Sequence, residues 1–254
     1  FQSNNFFSNY LYNFWQYTDY YASWHGQVTA DCPPDVPGWQ ERKFEFGVVN
    51  LPNAAYTSAA HKNGALSLGC FYEPRPSQPV SALLVKDENG NFPVADKLKE
   101  IADYYGFDGY FFNQEDRVPL EQIPLYQEFL HYARNLGMYI QWYDSIDAFT
   151  GQVRCMNWFV DNNSAFIRTE EYGDMANSIF LNYGWNANSV EESSAHAVSL
   201  GLDPQKTVFF GIEAGKDRWN QPHPEDALYW DEGGTNASIA VLGSDFVHNG
   251  LGED

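Results

Sequence analysis

From Phe107 to Asp116 the sequence reads FDGYFFNQED, an apolar run that ends on amide and carboxyl side chains. If the run is a strand, Asn113 and Glu115 stand at i and i+2 and point the same way, because side chains alternate across a strand. An amide and a carboxyl group then converge just past the apolar Phe111 and Phe112. Loss of water around a carboxyl group raises its pKa, which suits a general acid. Other runs end in a similar way. QWYDS carries Tyr143 and Asp144, NYGW carries Asn182, Tyr183 and Trp185, and GIEAG carries Glu213. An N-terminal run offers Trp15, Tyr17, Asp19, Trp24 and His25. Plainer readings stay open for each. Asn113 could cap a helix whose first turn holds the acidic residues, Asp144 could cap another, and single histidines such as His25 and His61 are more often structural than catalytic.

The elements that would position these groups alternate in type. Strand-like runs cover 11–20, 65–71, 107–113, 138–144, 165–168, 179–183, 207–213 and 238–243. Several, such as YFF, IFL and TVFFGI, are nearly continuous apolar stretches, as parallel strands covered on both faces require. Helical stretches lie between them at 53–61, 93–105, 119–136 and 189–200, and each is followed by a glycine stop: Gly64, Gly106, Gly137 and Gly201. The pattern predicts an α/β fold, a (β/α)8 TIM barrel, whose reacting groups stand at the C-terminal ends of the strands. A doubly wound open sheet is the alternative, weakened because no GxGxxG or GxxxxGK[ST] occurs. After the last strand only 244–254 remain, so the closing helix is expected to be missing or supplied from beyond this piece. Pro-rich insertions at 31–43 and 72–92 are expected to rim a cleft.

Composition narrows the function. The 254 residues carry a net charge of −20, which argues against a nucleic-acid partner and against anionic lipid. No run of about 18 apolar residues occurs to span a membrane. Cys32, Cys70 and Cys155 lie far apart and form no zinc pattern, and no His/Asp ligand cluster supports a metal-dependent deacetylase or nuclease, so no cofactor is expected. The 8 Trp, 17 Tyr and 19 Phe make up 17% of the chain. Their apolar faces and polar edges suit sugar rings, although most must serve an aromatic core.

FDGYFFNQE resembles the signature of family-85 glycoside hydrolases, the endo-β-N-acetylglucosaminidases that cut the chitobiose core of N-linked glycans. NFWQYTDYYASWHG, AAHKNGALSLGCF, IADYYGFDGYFFNQE, QWYDS and SIFLNYGW resemble the same family in its order. The resemblance implies retaining hydrolysis in which the substrate's own 2-acetamido oxygen attacks C1 and forms an oxazoline intermediate. It makes Glu115 the general acid and then the base, Asn113 the group that holds the acetamido N–H, and Tyr143 a further contact to the acetamido group. Trp15, Tyr17, Asp144 and Asn182 join as substrate-binding candidates from their places at the strand ends, and the resemblance adds sugar contacts from Trp24, His25, Trp158, Trp185 and Glu213, transglycosylation when a sugar alcohol replaces water, and β-sandwich domains after the barrel. An amide beside the acid fits this chemistry. Ordinary retaining glycosidases need a second carboxylate about 5 Å away, and substrate-assisted families are the exception.

Two other readings compete. A chitinase-like family-18 hydrolase would carry DGxDxDxE, and here Asp108, Gly109 and Glu115 fit while Phe111 and Asn113 replace the inner aspartates. A lectin-like barrel would share the aromatics and acidic rim without needing Asn113 and Glu115 together. The expected partner is an N-linked glycan met by a monomer, and a secreted or cell-surface bacterial enzyme is favoured over a cytosolic one. The chain begins at Phe1, which suggests a processed or excised piece.

Overall fold

A computed structural model describes residues 12–22, 49–73, 80–214, 225–228 and 237–243. Strands and helices alternate along these residues, as the hydrophobic pattern predicts. They gather into two compact units, one drawn from Phe1–Val118 and Pro124–Ile140, the other from Pro119–Ile123 and Gln141–Asp254. No helix among the described residues is long and apolar enough to cross a membrane.

The first unit begins with a 3-10 turn at Trp15–Tyr17 and continues through β1 (Tyr20–Ala22), β2 (Val49–Asn50), α1 (Ala54–Lys62) and β3 (Leu66–Glu73). It goes on through α2 (Val80–Leu83), α3 (Pro93–Tyr105), β4 (Gly109–Gln114), α4 (Ile123–Asn135) and the start of β5 (Tyr139–Tyr143). β3 pairs parallel with β1 and with β4, and antiparallel with the short β2. Local chemistry sets the helix ends. The Asn53 Oδ1 accepts from the N–H groups of Ala55 and Tyr56 and opens α1. Pro93 opens α3, and Gly106 closes it with φ 72°. The helices lay an aromatic layer on the sheet, with Phe92 edge-on to Phe129 and Phe112 edge-on to the same ring.

Two devices seat β4. The Asp108 Oδ2 accepts from the Ser67 N–H at 2.8 Å and meets His61 Nε2 at 2.8 Å, which ties the entry of β4 to β3 and α1. Gly109 has φ 155°, and a Cβ there would stand 1.9 Å from the Tyr139 carbonyl oxygen, so the approach of β5 admits only glycine.

The second unit continues from β5 through α5 (Asp161–Ser164), β6 (Arg168–Thr169), β7 (Gly173–Asp174) and β8 (Ser178–Leu181). Next come α6 (Ala187–Ser199), α7 (Pro204–Thr207), β9 (Val208–Glu213), α8 (Glu225–Leu228) and β10 (Ser238–Leu242). β5, β8, β9 and β10 pair in parallel in that order, with Gln141 beside Ser178, Ile179 beside Val208, and Phe209 beside Ser238. All of β8 and nearly all of β9 are buried, as their apolar runs require.

Two expected strands are corrected. The run 11–20 holds the 3-10 turn, closed by a hydrogen bond between the Tyr12 and Thr18 hydroxyls at 2.7 Å, and pairing starts only at Tyr20. Its aromatics imitate strand composition while serving a turn. The run 165–168 is not in the parallel sheet. Arg168–Thr169 pairs antiparallel with Gly173–Asp174, and Phe166 stacks on Trp142 at 4.5 Å, so its apolar character serves packing. The expected insertion 72–92 includes the end of β3 and all of α2. The insertion 31–43 lies outside the described residues.

Candidate active site

β4 divides its side chains between two jobs. Tyr110, Phe112 and Gln114 face the helices: the Tyr110 hydroxyl donates to the Leu98 carbonyl, Phe112 packs on Phe129, and Gln114 Oε1 accepts from the Tyr126 hydroxyl at 2.9 Å. The alternate residues Phe111 and Asn113 therefore face the opposite side, and Glu115 is the first residue past the strand. The register places Cys70 beside Phe111 and Tyr72 beside Asn113. The Glu115 charge acts on both Cys70 and Tyr72, so the carboxyl group lies near them.

Asn113 is the unusual member of the set. It is 1% exposed, and neither Nδ2 nor Oδ1 has a hydrogen-bond partner among the described residues. Buried amides are nearly always paired, so an unpaired one marks a place where a ligand group can complete the bonding. Glu115 next to it is half-buried. Burial, reinforced by the Glu115 charge, pushes the Cys70 thiol far above its ordinary range. Burial first, then Glu115 and Cys70, raises the Tyr72 phenol. Both neighbours of the carboxyl group are thus held neutral. The rule of reading strand ends would have found Tyr72, since it closes the run LSLGCFY.

In the second unit Tyr143, Asp144 and Asn182 come together. The Tyr143 hydroxyl donates to Asn182 Oδ1 at 2.9 Å. Asp144 is 0% exposed and accepts from Asn163 Nδ2 at 2.8 Å, from the N–H groups of Asn157 at 2.7 Å and Met156 at 3.2 Å, and more weakly from that of Asn182 at 3.4 Å. Burial pushes its pKa up to about 7 against the pull of these donors. Asp144 is therefore a buried hub that anchors the chain following β5. No sequence signal marks Asn157 or Asn163 as its partners.

The remaining candidates are spread over both units. Trp15 is half-buried in the turn before β1, its ring 4.9 Å from Tyr12, and Tyr17 is 80% exposed. Trp24 and His25 lie outside the described residues. Trp158 is 38% exposed, and its carbonyl accepts from Asn163 Nδ2. Trp185 is only 2% exposed; its indole N–H donates to the Gly211 carbonyl at 2.8 Å and its ring packs on Phe210. Glu213 is half-buried at the end of β9, beside Leu242 of β10. No group of three or more His, Cys, Asp or Glu placed to hold a metal ion occurs among the described residues.

Comparison with known proteins adds independent findings. The profile of glycosyl hydrolase family 85 matches residues 1–251. A cytosolic endo-beta-N-acetylglucosaminidase of Danio rerio is 31% identical over 165 residues, covering 62% of this chain and 22% of its own length. Cytosolic endo-beta-N-acetylglucosaminidase 2 of Arabidopsis thaliana is 28% identical over 219 residues, covering 81% of this chain and 29% of its own. The chain thus spans less than a third of the length of these relatives. Among solved structures, the glycoside hydrolase domain of Endo-D from Streptococcus pneumoniae R6 superposes with a TM-score of 0.71 at 25% identity, over 96% of this chain and 36% of that one. That likeness shows the fold class to be α/β, of the (β/α) barrel type.

Proposed function

The chain belongs to glycosyl hydrolase family 85, and from that membership we propose that it is an endo-β-N-acetylglucosaminidase cutting the GlcNAc-β1,4-GlcNAc bond of N-linked glycans. The names of the Danio and Arabidopsis relatives support the activity. The observation that carries the mechanism is Asn113, a carboxamide enclosed in the protein without a bonding partner among the described residues and two positions before a carboxyl group.

In this reading Asn113 Oδ1 takes the N–H of the substrate's 2-acetamido group and turns its carbonyl oxygen toward C1. That oxygen forms the new bond to C1 as the glycosidic C–O bond breaks, and Glu115 gives its proton to the departing oxygen. The ring so formed keeps its N–H, held by Asn113 Oδ1, as an oxazolinium, and water opens it while Glu115 takes the water's proton. Two displacements at one carbon leave the anomeric configuration retained. A sugar hydroxyl in place of water gives transglycosylation. Tyr143, whose hydroxyl is held by Asn182, is a further substrate contact in this reading. Location follows less directly: the relatives are named cytosolic, which supports a cytosolic enzyme and lends nothing to the secreted preference.

The test is release of high-mannose glycan from a denatured glycoprotein. The expected result is free glycan and protein bearing a single GlcNAc at each site. Folded protein that binds the glycan but releases none overturns the reading in favour of a glycan-binding barrel.

A further inference from the structure

Asn157 is the one non-glycine residue with positive φ, at 68°, among the described residues. Asparagine tolerates this conformation better than most residues, yet it remains a sparsely populated one. Three sets of bonds hold it there. Its backbone N–H donates to Asp144 Oδ2 at 2.7 Å. Its Oδ1 accepts from the Gly184 N–H and from Asn182 Nδ2, each at 2.9 Å. Its Nδ2 reaches back to the Cys155 carbonyl at 3.3 Å.

These bonds have a direction. A backbone N–H can only donate, so the Gly184 N–H fixes which end of the Asn157 amide faces it. With the Asn157 oxygen so placed, Asn182 must present its NH2 to it and its oxygen to Tyr143. The Tyr143 hydroxyl then gives its single proton to Asn182. Orientation passes from a rigid backbone donor through two amides to one phenol. Gly184 is part of the device: a Cβ there would lie 2.7 Å from Asn157 Oδ1.

We propose that Asn157 is a positioning residue which, through Asn182, fixes the place and hydroxyl direction of Tyr143, a substrate contact in the reading above. The inference rests on the functional reading above and adds to it a residue that touches no substrate. Its strained backbone is explained by the work the side chain does.

The test is steady-state kinetics on a chitobiose-linked glycan with Asn157→Gly, Asn157→Asp, Tyr143→Phe and the Asn157→Gly/Tyr143→Phe pair. Glycine keeps the left-handed backbone and the N–H to Asp144 while deleting the amide. The expected result is a loss of about tenfold in kcat with KM nearly unchanged, the scale of one well-placed hydrogen bond. Asn157→Asp, which retains the accepting oxygen, should recover most of that loss. In the Tyr143→Phe background Asn157→Gly should cost nothing further, because the group it directs is gone. Additive losses, or a loss confined to KM, overturn the proposal while leaving the enzymatic reading intact. A wild-type protein that releases no glycan overturns that reading and the proposal with it.

Discussion

Asn113 carries a stability cost. A buried polar group without a partner costs on the order of 1–3 kcal/mol, and its amide is enclosed with no partner among the described residues. Asn113→Leu, close in shape and apolar, should therefore raise Tm by about 2–6 °C while hydrolysis is lost. Calorimetry beside a glycan-release assay checks both halves, and a lower Tm would show that the amide is paired in solution. Glu115→Gln should reduce kcat/KM by at least about 10³-fold, because an amide cannot deliver the proton, while glycan binding survives. Asp144 makes a pH prediction. Its folded pKa of about 7 lies above its ordinary 3.8, so the folded protein holds the proton more tightly than the unfolded chain does. Its contribution to stability is full below about pH 3.8 and is lost as pH rises to about 7. Thermal unfolding across that window should show the decline in wild type and a flatter profile in Asp144→Asn. At this scale the sequence was a better guide to a residue's place in its strand than to its surroundings. The facing of Asn113 along β4, opposite Tyr110, Phe112 and Gln114, was legible from period-two spacing. The enclosure of Asp144 and Trp185 was not, because their partners come from residues such as Asn157, Asn163 and Gly211, remote in the chain.

Elements were legible where one local signal dominated. α3 has the bounds its periodicity, proline start and glycine stop predict, and β3, β4, β5, β8, β9 and β10 sit within two residues of the expected runs. Failures came where aromatic or apolar content stood in for periodicity. Trp15–Tyr17 forms a turn, and Phe166 serves packing instead of pairing. β2 is two residues long, too short to leave a pattern. The β4–β5 approach gives a prediction at this level. Gly109→Ala would drive a methyl group into the Tyr139 backbone and should destabilise by more than about 4 kcal/mol, or prevent soluble expression. Gly90→Ala, also at positive φ but with open space around it, should cost only about 1 kcal/mol. Equal effects in denaturant titrations would remove the steric explanation.

For the 254-residue chain taken as one body of charge, the net −20 bears on the glycan substrates proposed above. Long-range repulsion slows the approach of anionic ligands and is screened by salt, with a Debye length of about 10 Å at 0.1 M. Sialylated glycans should show a lower kcat/KM than neutral ones at 10 mM salt, and the gap should narrow several-fold by 0.3 M. A ratio independent of ionic strength would place the discrimination in local contacts. The α/β class was legible because alternation of apolar runs and helical periods is a property of the whole chain. The two-unit grouping was not, since it depends on which distant segments pack together.

The split face of β4 has a practical consequence. Tyr110, Phe112 and Gln114 bond the strand to its helices, and an exchange of equal shape at Glu115 leaves those bonds in place. One oxygen-for-nitrogen exchange at Glu115 should then leave a rigid, disarmed receptor, ready to be immobilised as an affinity reagent for intact glycoproteins.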